Sequence, residues 1–306
     1  MQELWKDNGQ LVDKCKWGEL IASLYSDEKV DYKKEAKLVL KEKLISAIRK
    51  RVPEGKYGVF FSGGVDSSSI AVIAKIFNKN LVCYSVGFQD ETKEPEDIIE
   101  AKKVAEKLGF ELKYKIFNLD EAEEIIKKTV KILQKYGKTD VVNIGVGAVV
   151  VAATELAKKD NVDFLFSGLG SEEIFAGYER HDKAAESKTN SVTEECWTGL
   201  KNMWGRDLVR DFNLAKELGI TVATPFLDRD LITYAMQLPS EWKINKEEKK
   251  IILREVVEEY LGDFAWRKKK AAQYGSCFDK AISKLAKKNG FKLKKDWLDK
   301  IVKESN

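Results

Sequence analysis

Hydrophobic residues in the first half of the chain form short apolar runs that alternate with longer amphipathic segments. The apolar runs predict β-strands at 57–61, 81–86, 111–117 and 163–166. Helical spacing between them predicts helices at 66–77, 96–108, 120–135 and 142–158. Strands that alternate with helices are typical of an α/β fold, in which a parallel sheet is covered by helices on both faces.

Both ends of the chain carry a helical pattern without strands. Residues 1–50 are predicted to be helical, with a lysine-rich helix from Lys33 to Arg51 that ends at Pro53-Glu54-Gly55. Beyond Tyr178, the pattern predicts helices at 193–218, 227–237 and 247–260, around a turn at 223–226. We therefore expect a short helical extension at 1–52, an α/β core at 53–180 and a helical C-terminal part at 181–306.

Composition narrows the class of protein. With 306 residues, 43% hydrophobic and 34% charged, the chain is neither disordered throughout nor a membrane protein, and no apolar run approaches the ~18 residues of a membrane-spanning helix. The first residues lack the pattern of a signal peptide, so we expect a cytoplasmic protein. The four cysteines form no CxxC pair, and one histidine excludes multi-histidine metal sites.

Charge is unevenly distributed along the sequence. Thirteen Lys and Arg stand against three Asp between Arg267 and Lys303, although the whole chain carries only +4. A basic C-terminal segment suits an anionic partner such as nucleotide phosphates or RNA, and a solvated helix face is the alternative interpretation.

The strongest chemical signal is the segment Ser62-Gly63-Gly64-Val65-Asp66-Ser67-Ser68, between a predicted strand and a predicted helix. Two glycines allow a tight turn whose N–H groups point inward, and the serine hydroxyls and the helix N-terminus add positive partial charge. Since no GK[ST] follows, this is not a Walker A loop. The pattern predicts a phosphate cradle, with Asp66 as a Mg²⁺ ligand.

This segment resembles the pyrophosphate loop of the N-type ATP pyrophosphatases, which cleave ATP between the α and β phosphates. Later segments resemble one branch of that group, asparagine synthetase. Ser167–Tyr178 is similar to its SGEGSDEhFGGY signature, where h is hydrophobic. Its PFLD, K-hhLR and WRxK motifs match segments that begin at Pro225, Lys249 and Trp266. The four motifs occur in the right order across residues 56–285.

The resemblance implies an adenine nucleotide α-hydrolase fold and an ATP- and Mg²⁺-dependent ligase that forms an acyl adenylate. It assigns roles to groups of residues. The β and γ phosphates and Mg²⁺ would be held by Ser62, Gly63, Gly64, Asp66, Ser67 and Ser68. Phe60, Val86 and Gly87 would frame the adenine, and Ser167 and Gly168 would touch the ribose or the α-phosphate. Glu172 would be the second Mg²⁺ carboxylate, Lys269 would stabilise the transition state and the departing pyrophosphate, and Asp207 and Arg210 would meet the acyl substrate.

Two departures from the asparagine synthetase pattern bear on the reaction. The family's N-terminal cysteine nucleophile and glutaminase domain have no counterpart, because position 2 is Gln2. Nitrogen is therefore expected from free ammonia, another amine or a separate glutaminase subunit. Leu169 replaces the glutamate that helps ammonia attack by taking a proton, and leucine cannot take one. Position 169 is therefore a candidate determinant of the substrate.

Three further segments resemble a branch known as the asparagine synthetase domain-containing proteins. They are Asn143-Ile144-Gly145, Tyr178-Glu179-Arg180-His181 and Ala272-Gln273-Tyr274-Gly275-Ser276. The function of that branch adds nothing to the prediction for this chain.

The residues also allow plainer interpretations. Glu172 and Glu173 could simply charge a helix N-terminus, and Asp207 and Arg210 could form an intrahelical ion pair. His181 could be a surface or capping residue, or it could line the cleft. For the whole protein we keep three functions open. They are an amidoligase acting on a small carboxylate with ammonia or an amine, a tRNA-modifying ATP pyrophosphatase, and a nucleotide-binding regulatory protein without catalysis.

Overall fold

The structure is a computed structural model that describes residues 3–89, 94–187, 191–268 and 271–304. Its strands are β1 (Lys6–Asp7), β2 (Gln10–Leu11), β3 (Tyr57–Phe60), β4 (Leu81–Phe88), β5 (Glu111–Phe117), β6 (Phe164–Phe166) and β7 (Thr221–Ala223). Its α-helices are α1 (Lys14–Ala22), α2 (Lys33–Arg49), α3 (Val65–Phe77), α4 (Glu96–Leu108), α5 (Leu119–Leu133), α6 (Val141–Lys159), α7 (Ser171–Ile174), α8 (Glu179–Glu186), α9 (Val192–Met203), α10 (Val209–Leu218), α11 (Arg229–Gln237), α12 (Ile251–Leu261), α13 (Ala272–Gly275), α14 (Phe278–Lys288) and α15 (Lys294–Glu304).

The main sheet has five parallel strands in the order β5-β4-β3-β6-β7. From the central strand β3 the chain first builds outward to β5, and it then returns to place β6 on the other side of β3. The strand order therefore reverses between β3 and β6. In open parallel sheets, ligands bind in the crevice beyond the carboxyl ends of the strands at such a reversal. Ser62 and Ser167, which follow these two strands, lie at its mouth.

Two hydrophobic clusters cover the two faces of the sheet. One packs α2, α3, α4, α11 and α12 against it, and the other packs α5, α6, α10, α14 and α15. The predicted parallel sheet with helices on both faces is thereby confirmed. By length and composition alone α6 could cross a membrane, but it is largely buried between the sheet and α5, α10 and α14.

The four predicted strands are present, and the sheet has a fifth that the sequence pattern missed. Strand β7 has only three residues and begins before the predicted turn at 223–226, so periodicity gave no signal for it. It forms because its backbone pairs with β6 in parallel, at Leu165 and Val222 for example.

The C-terminal helices also differ from their predicted bounds. The predicted helix 193–218 is divided by a π-helical segment, Trp204–Leu208, between α9 and α10. Helix α11 begins at Arg229, because Pro225 starts a 3-10 turn and the Asp228 side chain caps the helix. Helix α12 begins at Ile251, since the residue before it has a left-handed backbone. The basic segment beyond residue 276 forms α14 and α15, whose apolar sides pack on α5 and α6.

The prediction that residues 1–50 are entirely helical is wrong. Residues 6–11 form a β1–β2 hairpin ahead of α1. Trp5 beside it is almost fully buried, and its indole N–H donates to Thr224 Oγ1 at 2.7 Å. This segment therefore packs into the same core as the strand β7 region.

Candidate active site

The predicted phosphate loop lies between β3 and α3, as the sequence indicates. Gly63 has a φ of 67°, and Gly64 precedes the first turn of α3 as its N-cap. Ser67 Oγ bonds inside the loop, accepting from the Ser62 N–H at 3.3 Å and donating to the Gly64 carbonyl at 3.2 Å. Ser68 Oγ is buried and has no hydrogen-bond partner among the described residues. Hydrogen bonds of Ser67 therefore close the loop, and the Ser68 hydroxyl makes none among the described residues.

Two contacts fix this loop to its surroundings. A Cβ on Gly63 would lie 2.8 Å from the backbone of Glu100 in α4, so only glycine fits there. On the other side, Arg267 Nη1 donates to the Ser62 carbonyl at 3.0 Å, and its Nε lies 3.4 Å from the Glu100 carboxylate. Arg267 Nη2 is buried without a partner among the described residues. Arg267, for which the sequence predicted no role, thus joins the loop to α4. Its Nη2 group remains available as a hydrogen-bond donor.

Asp66 stands at the start of α3, where it faces the loop after β6. Ser171 Oγ donates to Asp66 Oδ1 at 2.5 Å. A Cβ on Gly168 would come to 3.0 Å from the Asp66 Cβ, so the two loops nearly touch. Tertiary structure therefore places Asp66, Ser167 and Gly168 in one crevice, although a hundred residues separate them in the sequence.

Lys250 completes this site, and the sequence analysis missed it. Its Nζ lies 2.9 and 2.8 Å from the two Asp66 carboxylate oxygens, 2.9 Å from Glu172 Oε1 and 3.0 Å from Ser171 Oγ. Burial opposes the charged ammonium, but the Asp66 and Glu172 carboxylates outweigh it and raise the pKa of Lys250. The signal that could have revealed it was the lysine pair at the start of the K-hhLR segment.

Gly177 makes room for this ion cluster. A Cβ at that position would overlap both the Glu172 carboxylate and Lys250 Cε. Lys250 itself has a φ of 56°, an unfavourable backbone for a residue with a side chain. The fold tolerates that strain, and this backbone conformation directs the lysine side chain towards the Asp66 and Glu172 carboxylates.

A divalent cation fits these residues through Asp66 and Glu172. Their carboxylates already converge on one positive charge, and oxygen is the ligand that Mg²⁺ prefers. The described part of the chain contains no group of three or more His, Cys, Asp and Glu residues that could hold a metal. Mg²⁺ would therefore take its other ligands from phosphate oxygens and water, as it commonly does at nucleotide sites.

The residues predicted to frame the adenine lie along the same edge of the sheet. Phe60 ends β3 and is half-buried, and Val86 and Gly87 are buried near the end of β4. A Cβ on Gly87 would press on Pro95 and on the Ser276 carbonyl. Pro95 and the segment around α13 therefore cover the end of β4 at Gly87.

Asp207 and Arg210 lie in a neighbouring charged cluster on the π-helical segment and α10. Arg210 Nε donates to Asp211 at 2.6 Å, and its Nη2 lies 3.4 Å from Asp207 Oδ1. Asp207 also receives Arg206 Nε at 2.7 Å. Arg210 is thus held by neighbouring carboxylates along its own helix, as the intrahelical ion-pair interpretation requires.

Glu173 links this cluster to the crevice between β3 and β6 through its neighbour Glu172. It is fully buried and pairs with Arg206, while Glu173 Oε2 has no partner among the described residues. Burial and the nearby Asp207 charge raise the pKa of Glu173 to about 7, against the opposing effect of Arg206. From its sequence position, Glu173 was expected only to charge a helix N-terminus.

His181 is buried and caps α8, so it is not a surface residue. Its Nδ1 accepts the Tyr178 N–H at 3.0 Å. Burial, with the positive charges of Arg180, Lys249, Lys243 and Arg206, lowers the pKa of His181 to about 3. The ring is therefore neutral at physiological pH and serves the structure of this helix.

Two predicted residues remain. Lys269 lies outside the described residues, so its role stays a prediction. Leu169 is half-buried between Gly168 and Gly170, packs against the first hydrophobic cluster, and donates its N–H to Ser167 Oγ at 3.3 Å. No carboxylate occupies its position in the loop.

Comparison with known proteins agrees with this arrangement. A family model described as asparagine synthase matches residues 39–191 and 185–296. The chain belongs to the asparagine synthase family. The matched residues include the loop after β3 and the loop after β6.

Two curated members of the family show how similar this chain is to known sequences. A putative glutamine-hydrolysing asparagine synthetase of Methanocaldococcus jannaschii is 33% identical, over 88% of this chain and 56% of its own. The glutamine-hydrolysing asparagine synthetase of Gallus gallus is 30% identical, over 84% of this chain and 45% of its own. The chain thus spans about half the length of the curated relatives that it matches.

Solved structures give weaker likenesses. An NH3-dependent NAD synthetase from Campylobacter jejuni aligns with a TM-score of 0.32 and 18% identity, over 46% of this chain and 61% of that one. A U34-tRNA thiolase from Methanococcus maripaludis aligns with a TM-score of 0.38 and 14% identity, over 88% of this chain and 78% of that one.

Proposed function

We propose that this protein is an ATP- and Mg²⁺-dependent amidoligase that activates a small carboxylate as its acyl adenylate. The observation that carries the proposal is the meeting of the lysine-free phosphate loop with the Asp66–Glu172–Lys250 cluster, in the crevice between β3 and β6. Membership of the asparagine synthase family supports the same conclusion. Asparagine formation from aspartate is the first candidate among such reactions.

The first step transfers the adenylyl group. A carboxylate oxygen attacks the α-phosphorus, the bond to the β-phosphate oxygen breaks, and pyrophosphate leaves with that electron pair. The N–H groups of Ser62–Ser68 and the spare donors of Ser68 and Arg267 would bind the β and γ phosphates. Mg²⁺ would neutralise charge on the phosphate oxygens. Lys269 keeps its proposed role of stabilising the charge on the departing pyrophosphate.

The second step forms the C–N bond. An amine or ammonia nitrogen attacks the acyl carbon, AMP leaves with its phosphate oxygen, and the nitrogen loses a proton. Leu169 offers no base for that proton. Solvent would take that proton, whether the nitrogen comes from free ammonia, from another amine or from a separate glutaminase subunit. We expect these substrates and the protein itself in the cytoplasm.

The rival functions have less support. A tRNA-modifying ATP pyrophosphatase is favoured only by the basic surface of α14 and α15. The four cysteines lie far apart in the sequence, at positions 15, 83, 196 and 277, and none forms a disulfide, so no CxxC pair offers a site for sulfur transfer. A regulatory protein without catalysis would not need the built Lys250 cluster or the strained backbone that supports it.

Incubation with α-labelled ATP, Mg²⁺ and a panel of carboxylates with ammonia tests the proposal. We expect AMP and pyrophosphate, with one carboxylate stimulating their release. Asp66→Asn, which removes the charge but keeps the size of the side chain, should abolish that release. Formation of ADP alone would exclude adenylation, and stimulation by RNA instead of a carboxylate would favour the tRNA-modifying enzyme.

A further inference from the structure

The Lys250 ammonium occupies the space between the two carboxylates that a metal would need. Nζ is within 2.9 Å of both Asp66 oxygens and of Glu172 Oε1. Lys250 and Asp66 are both buried, at 4% and 7% exposure. A second cation at this point would stand within contact distance of the ammonium, and two positive charges in a poorly solvated site repel strongly.

We propose that Lys250 is an internal counter-ion that holds the metal position, and that a divalent cation binds Asp66 and Glu172 only when it displaces this lysine. This inference rests on the proposed function for the identity of the metal site, but it concerns how that site is controlled. The displaced ammonium needs a new anion, and a triphosphate on the adjacent loop supplies one. Metal and nucleotide should therefore bind together, each assisting the other.

The local structure explains why the lysine is there at all. Without a cation, Asp66 and Glu172 would place two like charges beside each other in a largely buried crevice, which is unfavourable. Gly177 leaves the room in which Lys250 reaches both carboxylates, and the left-handed backbone at Lys250 directs it there. Ser171 Oγ, at 3.0 Å from Nζ, completes its hydrogen bonding. These features hold the two carboxylates close together in the folded chain.

Direct metal binding without any substrate tests the inference. Mn²⁺ would be titrated into the full chain and followed by electron paramagnetic resonance, with and without α,β-methylene-ATP, a nucleotide that cannot be cleaved between its α and β phosphates. Wild-type protein should bind Mn²⁺ weakly alone and at least about 10-fold more tightly with the nucleotide. Lys250→Met should bind Mn²⁺ at least about 10-fold more tightly than wild type without nucleotide, and Mg²⁺ alone should then raise its Tm.

Two controls make the result specific. Lys249→Met removes the neighbouring lysine, which is paired with Asp182 at the surface, and should leave Mn²⁺ affinity unchanged. Adding Asp66→Asn to Lys250→Met should abolish the gain, because it removes a ligand. A gain that survives Asp66→Asn would place the metal elsewhere and overturn the inference.

Lys250→Met that binds Mn²⁺ no better than wild type would also overturn it. If that variant does not fold, wild-type protein alone decides. Tight nucleotide-free Mn²⁺ binding that Asp66→Asn abolishes would show that the lysine is no barrier, whereas binding that needs the nucleotide supports the inference. Metal binding is measured without any carboxylate or amine. These outcomes therefore do not depend on whether the proposed amidoligase reaction occurs.

Discussion

The Glu3 carboxylate and the Arg51 guanidinium form a buried ion pair, with 2.9 Å between Oε1 and Nε. Glu3 Oε2 also accepts from Thr224 Oγ1 at 2.7 Å, and Arg51 Nη1 donates to Asp228 at 2.9 Å. One network thereby joins the N-terminal segment, the end of α2 and the turn after β7. Because β7 pairs with β6, this network supports the strand whose end carries Ser167.

Glu3→Gln should destabilise the protein, because it leaves the Arg51 charge buried with one carboxylate fewer. We expect the free energy of unfolding to fall by about 3 kcal/mol, measured by urea denaturation. Lys50→Met is the control, since Lys50 is half exposed and pairs with Asp228 and Asp230 at 3.1–3.4 Å. Its effect should stay below about 1 kcal/mol. Equal losses in both variants would show that the buried ion pair contributes no more to the free energy of unfolding than the exposed one.

Gly177→Ala should damage the ion cluster more than the fold. The added methyl group would overlap the Glu172 carboxylate and Lys250 Cε, so both side chains must move. We expect pyrophosphate release to fall by about 100-fold while circular dichroism stays native. Gly18→Ala in α1 is the control, because no atom lies within 4 Å of its new Cβ. Unimpaired turnover in Gly177→Ala would mean that the cluster is not used in the reaction.

Arg267→Met should loosen the phosphate loop. It removes the hydrogen bond to the Ser62 carbonyl and the contact with Glu100, and it takes away the spare Nη2 donor. We expect the KM for ATP to rise about 10-fold, since a hydrogen bond from a charged group contributes about 1.5–3 kcal/mol. Steady-state kinetics at several ATP concentrations measure this. An unchanged KM would assign Arg267 to packing alone.

Leu169→Glu tests what the apolar residue in the second loop does. Leu169 packs against the hydrophobic cluster, so we expect a buried carboxylate to lower the free energy of unfolding by about 1–3 kcal/mol and to reduce activity. Thermal unfolding and assays of pyrophosphate and amide product measure both effects. A rise in asparagine formation at unchanged pyrophosphate release would instead show that a base at 169 suffices for ammonia capture.

Stability should fall in mild acid because of His181. Its folded pKa, about 3, lies below the ordinary value of 6.5, so the unfolded chain binds the proton more readily. The contribution of the neutral ring is therefore complete above pH 6.5 and decreases as the pH falls towards 3. Between pH 7 and pH 5 the loss should be about 2 kcal/mol.

Urea unfolding at the two pH values measures this loss. His181→Asn keeps an acceptor for the Tyr178 N–H but has no group that titrates in this range. The part of the pH dependence that comes from His181 should therefore be absent in the variant. An identical pH dependence in both proteins would show that His181 is not its source.

Local sequence determined the α/β core and the phosphate loop. The strands at 57, 81, 111 and 163 and the helices between them follow from hydrophobic runs and helical periodicity, which act over a few residues. The glycine- and serine-rich loop Ser62–Ser68 follows from the sequence for the same reason, because two glycines, serines and an aspartate between a strand and a helix predict a phosphate cradle from neighbouring residues alone.

Tertiary structure decided the rest. Strand β7 forms because it can pair with the free edge of β6, and residues 6–11 form a hairpin next to Trp5, whose ring contacts Phe212 in α10. Lys250 meets Asp66 across 184 positions of sequence, and Glu3 meets Thr224 across 221. No local pattern encodes such contacts, since they depend on which loops the folded sheet brings to one edge. The burial that lowers the pKa of His181 and raises that of Glu173 arises in the same way, from side chains that become neighbours only when the chain is folded.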